Sequence, residues 1–387
     1  MPGIPDSVVR RLLMTADTVG GVWTYALELA QALQSYDIDI VLATMGAPLD
    51  AQQRTAVQQI DNVTLCESTW KLEWMEAPWD DVAAAGAWLL ELAALTQPDV
   101  VHLNGYAHGA LSWQAPTLVV GHSCVWSWFA AVKGTAPPAD WQRYRQEVGH
   151  GLQAADLVTA PTTAMLTALR THYGDFTAAP AIYNGRRPSR FPPLTKQPYI
   201  LTAGRVWDEA KNIAALAHVA PHLSWPVFVA GEEHHPQGGA VHFRSVQRLG
   251  RLEPAALARW LGQAAIFALP ARYEPFGLTV LEAGLAGCAL VLGDIPSLRE
   301  IWDRAACFVP PDQPDALAEA LEHLSRDTWR RERLAQRARA RALRYTPARM
   351  AQAYTALYAQ LKGAGAPEQP AQGEIVQRLS NISAGTA

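Results

Sequence analysis

The sequence predicts an α/β chain made of two doubly wound parallel-sheet domains. Three observations carry that reading. Short β-rich runs alternate with helical stretches in two successive series. A basic, proline-rich break separates the series. Several of the β-rich runs lead into glycine-bearing loops that open helices, as crossover connections between parallel strands do.

The first series starts with "VVRRLLMTA", a strand, followed by the loop "DTVGG" and the helix "VWTYALELAQALQ". Val22, Tyr25, Leu27, Leu29, Ala30 and Leu33 recur close to a 3.6-residue period, which places one apolar face on that helix. "IDIVLATM", "DVVHLN", "TLVVGH", "DLVTAP" and "AIYNG" read as further strands. "NGRRPSRFPPLTKQP" then reads as a linker. The second series runs through "YILTAGR", "PVFVAG", "AIFALP", "CALVLGD" and "ACFVP". The expected domains are 1–186 and 187–346, with a last helix at about 347–362 returning to the first domain and a flexible tail over 363–387. In open parallel sheets a ligand lies beyond the carboxyl ends of the strands. Two such domains are therefore expected to face one another across a cleft.

Composition excludes several classes. The 387 residues are 49% apolar, enough for two cores, and the net charge of -4 gives no electrostatic footprint for nucleic acid. No run has the length of a membrane span, and the N-terminus lacks the layout of a secretory signal. The four cysteines are scattered, without a CxxC pair, so neither a disulfide framework nor a zinc site is expected. The expected setting is cytoplasmic. The helix carrying Arg330, Arg333, Arg337, Arg341 and Arg344 in a stripe has little apolar moment. It reads as a solvated face ahead of a peripheral membrane contact.

Three stretches carry chemistry. "TADTVGGVW" follows a strand and opens a helix, so Gly20 and Gly21 would let backbone approach a phosphate. It is not GxGxxG, which counts against a nicotinamide dinucleotide. "AGRVWDEAKN" places Arg205 and Lys211 after another strand, a cation pair suited to a diphosphate, or else a local ion-pair network with Asp208 and Glu209. "RYEPFGLTVLEAG" holds Glu274 before a helix and Glu282 within it. Their spacing lets them address different parts of an extended ligand, while the helix entrance at Gly277 offers N–H groups to an anion. "DID" at Asp37–Asp39 leads into a strand and reads as strand-entry polarity, not as a metal motif.

The order and context of "GGVW", "IYNG", "GRVWDEAKN", "GRLEPAALARW" and "EPFGLTVLEAGLAGCALVLGD" resemble the family 4 retaining glycosyltransferases of GT-B fold. The resemblance covers about residues 10–362. It implies a hexose moved from a nucleotide diphosphate sugar, with a UDP-sugar expected ahead of GDP or ADP, to a saccharide, glycoside or lipid-linked acceptor. It implies that Arg205 and Lys211 hold the diphosphate, Glu282 the ribose and Glu274 the sugar hydroxyls. Backbone at Phe276, Gly277 and Leu278 would meet sugar and phosphate, and Gly21 the diphosphate. Arg251 or Leu252 falls where the nucleobase packs. His122 would reach the donor sugar, and Asp208 can face the reacting centre. No cofactor and no metal are expected, because fixed cations supply the charge that the leaving diphosphate needs. The tryptophans of "STWKLEWMEAPWDD" and "VWSWF" suit a sugar acceptor or, equally, an apolar domain face. A nucleotide-sugar epimerase of the same architecture and a non-catalytic nucleotide-sugar binding protein are the alternatives.

Overall fold

A computed structural model describes residues 8–234, 239 and 241–363 of the chain. Beyond Gly363, the expected tail lies outside the described residues. By their contacts the residues divide into two compact units. Among the described residues, one holds 8–126, 137–185 and 347–363; the other holds 127–136, 186–234, 239 and 241–346. The expected boundary therefore shifts in two places: Ser127–Ala136 and Arg186 group with the second unit. The reason is chemical. Trp128 Nε1 donates to Asp208 Oδ1 at 3.2 Å, Lys133 Nζ lies 2.6 Å from Glu209 Oε2, and Arg186 Nε lies 2.8 Å from Glu282 Oε1.

The first unit contains one six-stranded sheet. Its strands are β1 (Arg11–Asp17), β2 (Asp39–Met45), β3 (Val63–Glu67), β4 (Val100–Leu103), β5 (Thr117–Val120) and β6 (Leu157–Thr159), in the order β3-β2-β1-β4-β5-β6. The second unit repeats the plan with β7 (Gln197–Ala203), β8 (Val227–Ala230), β9 (Gln247–Gly250), β10 (Ala264–Leu269), β11 (Ala289–Gly293) and β12 (Cys307–Val309). Read from the β9 edge, its order is β9-β8-β7-β10-β11-β12. Every strand pairing in both sheets is parallel. The order reverses between β1 and β4 and again between β7 and β10. At such a reversal the loops leaving the two central strands turn to opposite faces and leave a crevice.

Burial follows from the pairing. Interior strands such as β10 and β11 are buried at every residue, as expected of strands covered on both faces. The edge strands β3 and β9 are mostly half-buried or exposed. These two are the strands that the sequence reading missed, because "VTLCE" and "QRLG" need no continuous apolar run at a sheet edge. "AIYNG", expected as a strand, forms none. The supposed linker is also corrected in part. Asn184, Arg186 and Phe191 are buried, and Phe191 belongs to the apolar cluster under the second sheet.

The helix Gly21–Leu33 covers the first sheet with Trp23, Tyr25, Ala26, Leu29, Ala30 and Leu33, while Val22 and Leu27 are only half-buried. The helix Pro347–Gly363 joins the same core through Met350, Ala351, Tyr354, Leu357, Tyr358 and Leu361. The Tyr25 and Tyr354 rings meet edge to face at 6.1 Å. Lys362 Nζ ties the helix end to Asp99 Oδ1 at 2.7 Å and to Val8 O at 2.8 Å. In the second unit the arginine-rich helix Thr328–Ala342 buries Ala338 and Ala342 completely. Arg341, one member of the stripe expected to be solvated, instead donates to Ile301 O at 2.6 Å and Glu300 O at 3.1 Å. Among the described residues no helix is long and apolar enough to cross a membrane.

Truncating Tyr354 to Ala removes a fully buried ring from the contact between the last helix and the first. The expected cost is about 3–5 kcal/mol, the range for buried aromatic truncations, read from the urea unfolding of the full chain. A loss under about 1 kcal/mol would show that the last helix contributes little to that core.

Candidate functional site

The second unit gathers its polar groups where β7 and β10 diverge. Gly204, just after β7, has φ 155 and Gly231, just after β8, has φ 144. A Cβ on Gly231 would lie 1.7 Å from Gly204 O, so the two loop entrances pack backbone against backbone. From there the chain turns through Arg205 to Lys211. Asn212 ends this loop in the left-handed region, with φ 55, which asparagine visits more readily than most residues. Its side-chain amide donates to Pro270 O at 2.9 Å and to Pro311 O at 2.8 Å. Its oxygen accepts from Arg272 Nη1 at 2.7 Å, and Arg272 N donates to Ala210 O at 2.9 Å. The loop after β7 is thereby stapled to the loop after β10.

The staple sets the charged groups. Lys211 Nζ donates to Glu274 Oε2 at 2.6 Å, with side chains 14% and 13% exposed. Ser297 Oγ donates to the Glu274 carbonyl at 2.6 Å. Arg205 Nη2 meets Asp208 Oδ2 at 2.8 Å, and its guanidinium lies 5.3 Å from the centre of the Trp207 ring. Asp208 is buried, and burial by itself raises its pKa. Attraction from Lys211 and Arg205, with hydrogen bonds from Arg205 and Trp128, outweighs burial and holds it below the usual carboxylate range. Of the local ion pairs weighed for this loop, Arg205–Asp208 forms, while Lys211 pairs with Glu274 and Glu209 with Lys133.

The helix Leu278–Leu285 begins in the same place. Its N-cap is Gly277 at φ 88, which has no side chain to cap the first N–H groups. A Cβ there would lie 3.0 Å from Val280 Cγ2, on a backbone that favours glycine. Phe276 is buried, 6.1 Å ring to ring from Tyr345, and its N–H turns to Glu274 Oε1 at 3.4 Å. Leu278 opens the helix and Glu282 lies one turn on, buried against Arg186. Arg186 also holds its place through its N–H to Tyr345 O at 3.2 Å and through the Phe191 ring, 5.1 Å from its guanidinium carbon. Arg251 and Leu252 follow β9 at the sheet edge, and Leu252 packs partly on the apolar cluster of this unit.

In the first unit Gly20, at φ 104, is the N-cap of Gly21–Leu33 and has no capping side chain; Gly21 is the first helical residue and exposed. Asp17 Oδ1 accepts from Val19 N at 2.6 Å and Thr18 Oγ1 donates to Ala47 O at 2.7 Å, which shapes the preceding loop. His122, after β5, faces Asn104 Oδ1 at 2.8 Å and meets the Tyr25 ring edge to face at 4.5 Å. His102, on β4, is fully buried between Tyr358 Oη at 2.7 Å and Tyr25 Oη at 3.2 Å. Burial pulls the pKa of both histidines down to about 3, and for His122 the nearby His102 adds to the effect. Both rings are neutral near pH 7.

The structure thus brings Arg205, Asp208, Lys211, Glu274, Phe276, Gly277 and Leu278 together, with Glu282 further along the same helix. His122 and Gly21 lie in the first unit. Sequence reasoning missed Asn104, Arg186, Asn212 and Arg272. Asn212 stood next to a nominated lysine, and an asparagine before a helix is a recognisable turn residue. Nothing local marked Arg186, whose partner lies 96 positions away.

Residues 19–190 match a family model described as glycosyltransferase family 4, and residues 197–327 match one described as glycosyl transferases group 1. Between them these models account for most of the chain. Over 180 residues the chain is 29% identical to a phosphatidyl-myo-inositol mannosyltransferase of Mycolicibacterium smegmatis, covering 43% of this chain and 46% of that protein. Over 86 residues it is 34% identical to an O-antigen chain mannosyltransferase B of Escherichia coli, covering 22% and 23%. The matched stretches therefore span less than half the length of these curated relatives. Among solved structures, a sucrose-phosphate synthase of Thermosynechococcus elongatus aligns with TM-score 0.74 at 19% identity over 92% of this chain and 100% of that one. An Anabaena protein crystallised with UDP-glucose aligns with TM-score 0.71 at 16% identity over 91% and 100%. At such identities the likeness is one of fold.

The two neutral histidines set a pH dependence. Unfolded, each binds a proton near pH 6.5; folded, each resists protonation until about pH 3. Their contribution to stability is therefore complete above about pH 6.5 and is lost progressively as pH falls from there towards 3. Urea midpoints measured between pH 7.5 and pH 5 should fall with pH, and less steeply in His102→Gln. Equal slopes in the two proteins would remove His102 from the account.

Proposed function

Because the chain belongs to the family 4 glycosyltransferases of GT-B fold, we propose that it is a retaining hexosyltransferase that uses a nucleotide diphosphate sugar. The observation that carries the reading is the Lys211–Glu274 pair beside the uncapped N-terminus of Leu278–Leu285. Cleaving a sugar–phosphate bond makes the anomeric carbon cationic and the departing diphosphate more anionic. Arg205, Lys211 and the N–H groups after Gly277 form a fixed positive set for that diphosphate. Asp208 and Glu274 hold the two cations in place. When the diphosphate takes up Arg205 and Lys211, Glu274 is released to accept hydrogen bonds from sugar hydroxyls.

The rest of the donor follows along the same helix. Glu282 suits the ribose hydroxyls, and Arg186, 2.8 Å away, orients its carboxylate. The edge after β9, with Arg251 and Leu252, suits the base. UDP is the preferred nucleotide, with GDP and ADP tested beside it. His122, Gly21 and the first unit serve the acceptor and the sugar, and a saccharide, glycoside or lipid-linked acceptor fits the family. Transfer proceeds without a metal, because the fixed cations do what a divalent ion would do for the leaving group.

Lys211→Ala should lower kcat by roughly 10²–10³, equivalent to about 3–4 kcal/mol of lost transition-state stabilisation. Glu282→Ala should act mainly through weaker donor binding. A thermal-shift panel of nucleotides and nucleotide sugars identifies the donor, since a ligand that binds only the folded state raises Tm. Wild-type turnover by Lys211→Ala, or no stabilisation by any nucleotide sugar, would overturn the reading.

Transfer should also persist in excess chelator. Activity abolished by chelator and restored by a divalent ion would reverse the metal-independent assignment.

A further inference from the structure

His122 and Asn104 are half-buried and belong to one polar network that reaches the fully buried His102. Asn104 is the fixed point. Its backbone N–H donates to Thr15 Oγ1 at 2.8 Å, and its side-chain Nδ2 donates to Thr15 O at 2.6 Å. Since a backbone carbonyl only accepts, the amide nitrogen must face Thr15, and Oδ1 is left facing the two imidazoles. It lies 2.8 Å from His122 Nε2 and 3.3 Å from His102 Nε2. An amide oxygen carries no proton. A hydrogen bond at 2.8 Å therefore requires the proton to sit on His122 Nε2. In a neutral ring Nδ1 then carries the lone pair.

The second ring supports this arrangement. His102 is fully buried, and its Nδ1 faces Tyr358 Oη at 2.7 Å. With the proton on Nε2 towards Asn104, Nδ1 accepts the Tyr358 hydroxyl proton. His102 Nε2–H is then shared between Asn104 Oδ1 at 3.3 Å and Tyr25 Oη at 3.2 Å, and Asn104 Oδ1 accepts from both rings. Thr15 lies in β1, His102 and Asn104 come from β4 and its loop, and His122 follows β5. The network thus spans the reversal of strand order in the first unit.

We propose that Asn104 is a positioning residue that locks His122 in its Nε2–H tautomer, so that Nδ1 serves as a hydrogen-bond acceptor for a sugar hydroxyl. The tautomer rests on the network alone; the identity of the hydroxyl rests on the glycosyltransferase reading above. In this state His122 accepts from a hydroxyl and donates nothing through Nδ1. Sugars that place a hydroxyl opposite it are favoured over deoxy analogues, and a carbonyl or phosphate oxygen there would meet a lone pair.

The test is long-range ¹H–¹⁵N correlation on the full chain labelled at its eleven histidines, with His122 identified by its absence in His122→Gln. The expected spectrum shows a pyrrole-type Nε2 and a pyridine-type Nδ1 for His122. Asn104→Ala should turn this into a mixture of tautomers and raise KM for the sugar substrate more than it lowers kcat. Asn104→Gln should recover neither the single tautomer nor the KM, because its oxygen is displaced by one methylene. A pyrrole-type Nδ1 in the unmodified protein overturns the proposal without any variant. An unchanged His122 tautomer in folded Asn104→Ala overturns it as well. The glycosyltransferase reading is judged separately, by whether any nucleotide sugar raises Tm.

Discussion

A buried amide side chain, that of Asn212, joins the two loops on which the candidate site depends. In a parallel sheet whose strand order reverses, the loops from the two central strands leave towards opposite faces. Nothing in the sheet itself holds them in register with one another. Asn212 does so by donating to Pro270 O on one side and Pro311 O on the other, while Arg272 bonds back to it. The 2.6 Å separation of Lys211 and Glu274 follows from that tie. Both are mostly buried, and a buried ammonium or carboxylate left alone would be costly.

The electrostatics share one design. The cations of the candidate site each rest against a carboxylate. Asp208 shows it most clearly, since its burial raises its pKa while Lys211, Arg205 and Trp128 more than offset the effect. Glu282 and Arg186 repeat the arrangement one turn into the helix. The first unit uses the opposite strategy. His102 and His122 are neutral because burial disfavours their charge, and their order comes from hydrogen bonds instead of ion pairs. A charged, displaceable set suits phosphate. A neutral, directional set suits hydroxyl groups.

What the chain's local patterns could reveal depended on where each residue ended up. Interior strands such as β10 and β11 announce themselves because both faces are covered and every residue can be apolar. The edge strands β3 and β9 do not, since half their surface stays wet. The linker read from prolines and arginines in part buries its arginine, because Glu282 waits for it from far along the chain. The arginine stripe of Thr328–Ala342 looked uniformly solvated, yet Arg341 caps carbonyls of Glu300 and Ile301. In each case a long-range partner changed the meaning of a residue whose neighbours gave no hint.

The sequence by itself determined the two α/β series, the glycine-led helix entrances and the short runs holding Arg205, Lys211, Glu274 and Glu282. Those features are local: a strand's apolar run, a glycine at positive φ and a helix start are all written within a few residues. Only the tertiary structure decided which carboxylate each cation meets, that Asn212 ties two loops together, and that His122 faces Asn104. Those are properties of atoms brought together across tens or hundreds of residues. Pairwise distance and burial, which set both hydrogen bonding and charge state, exist only once the chain has folded.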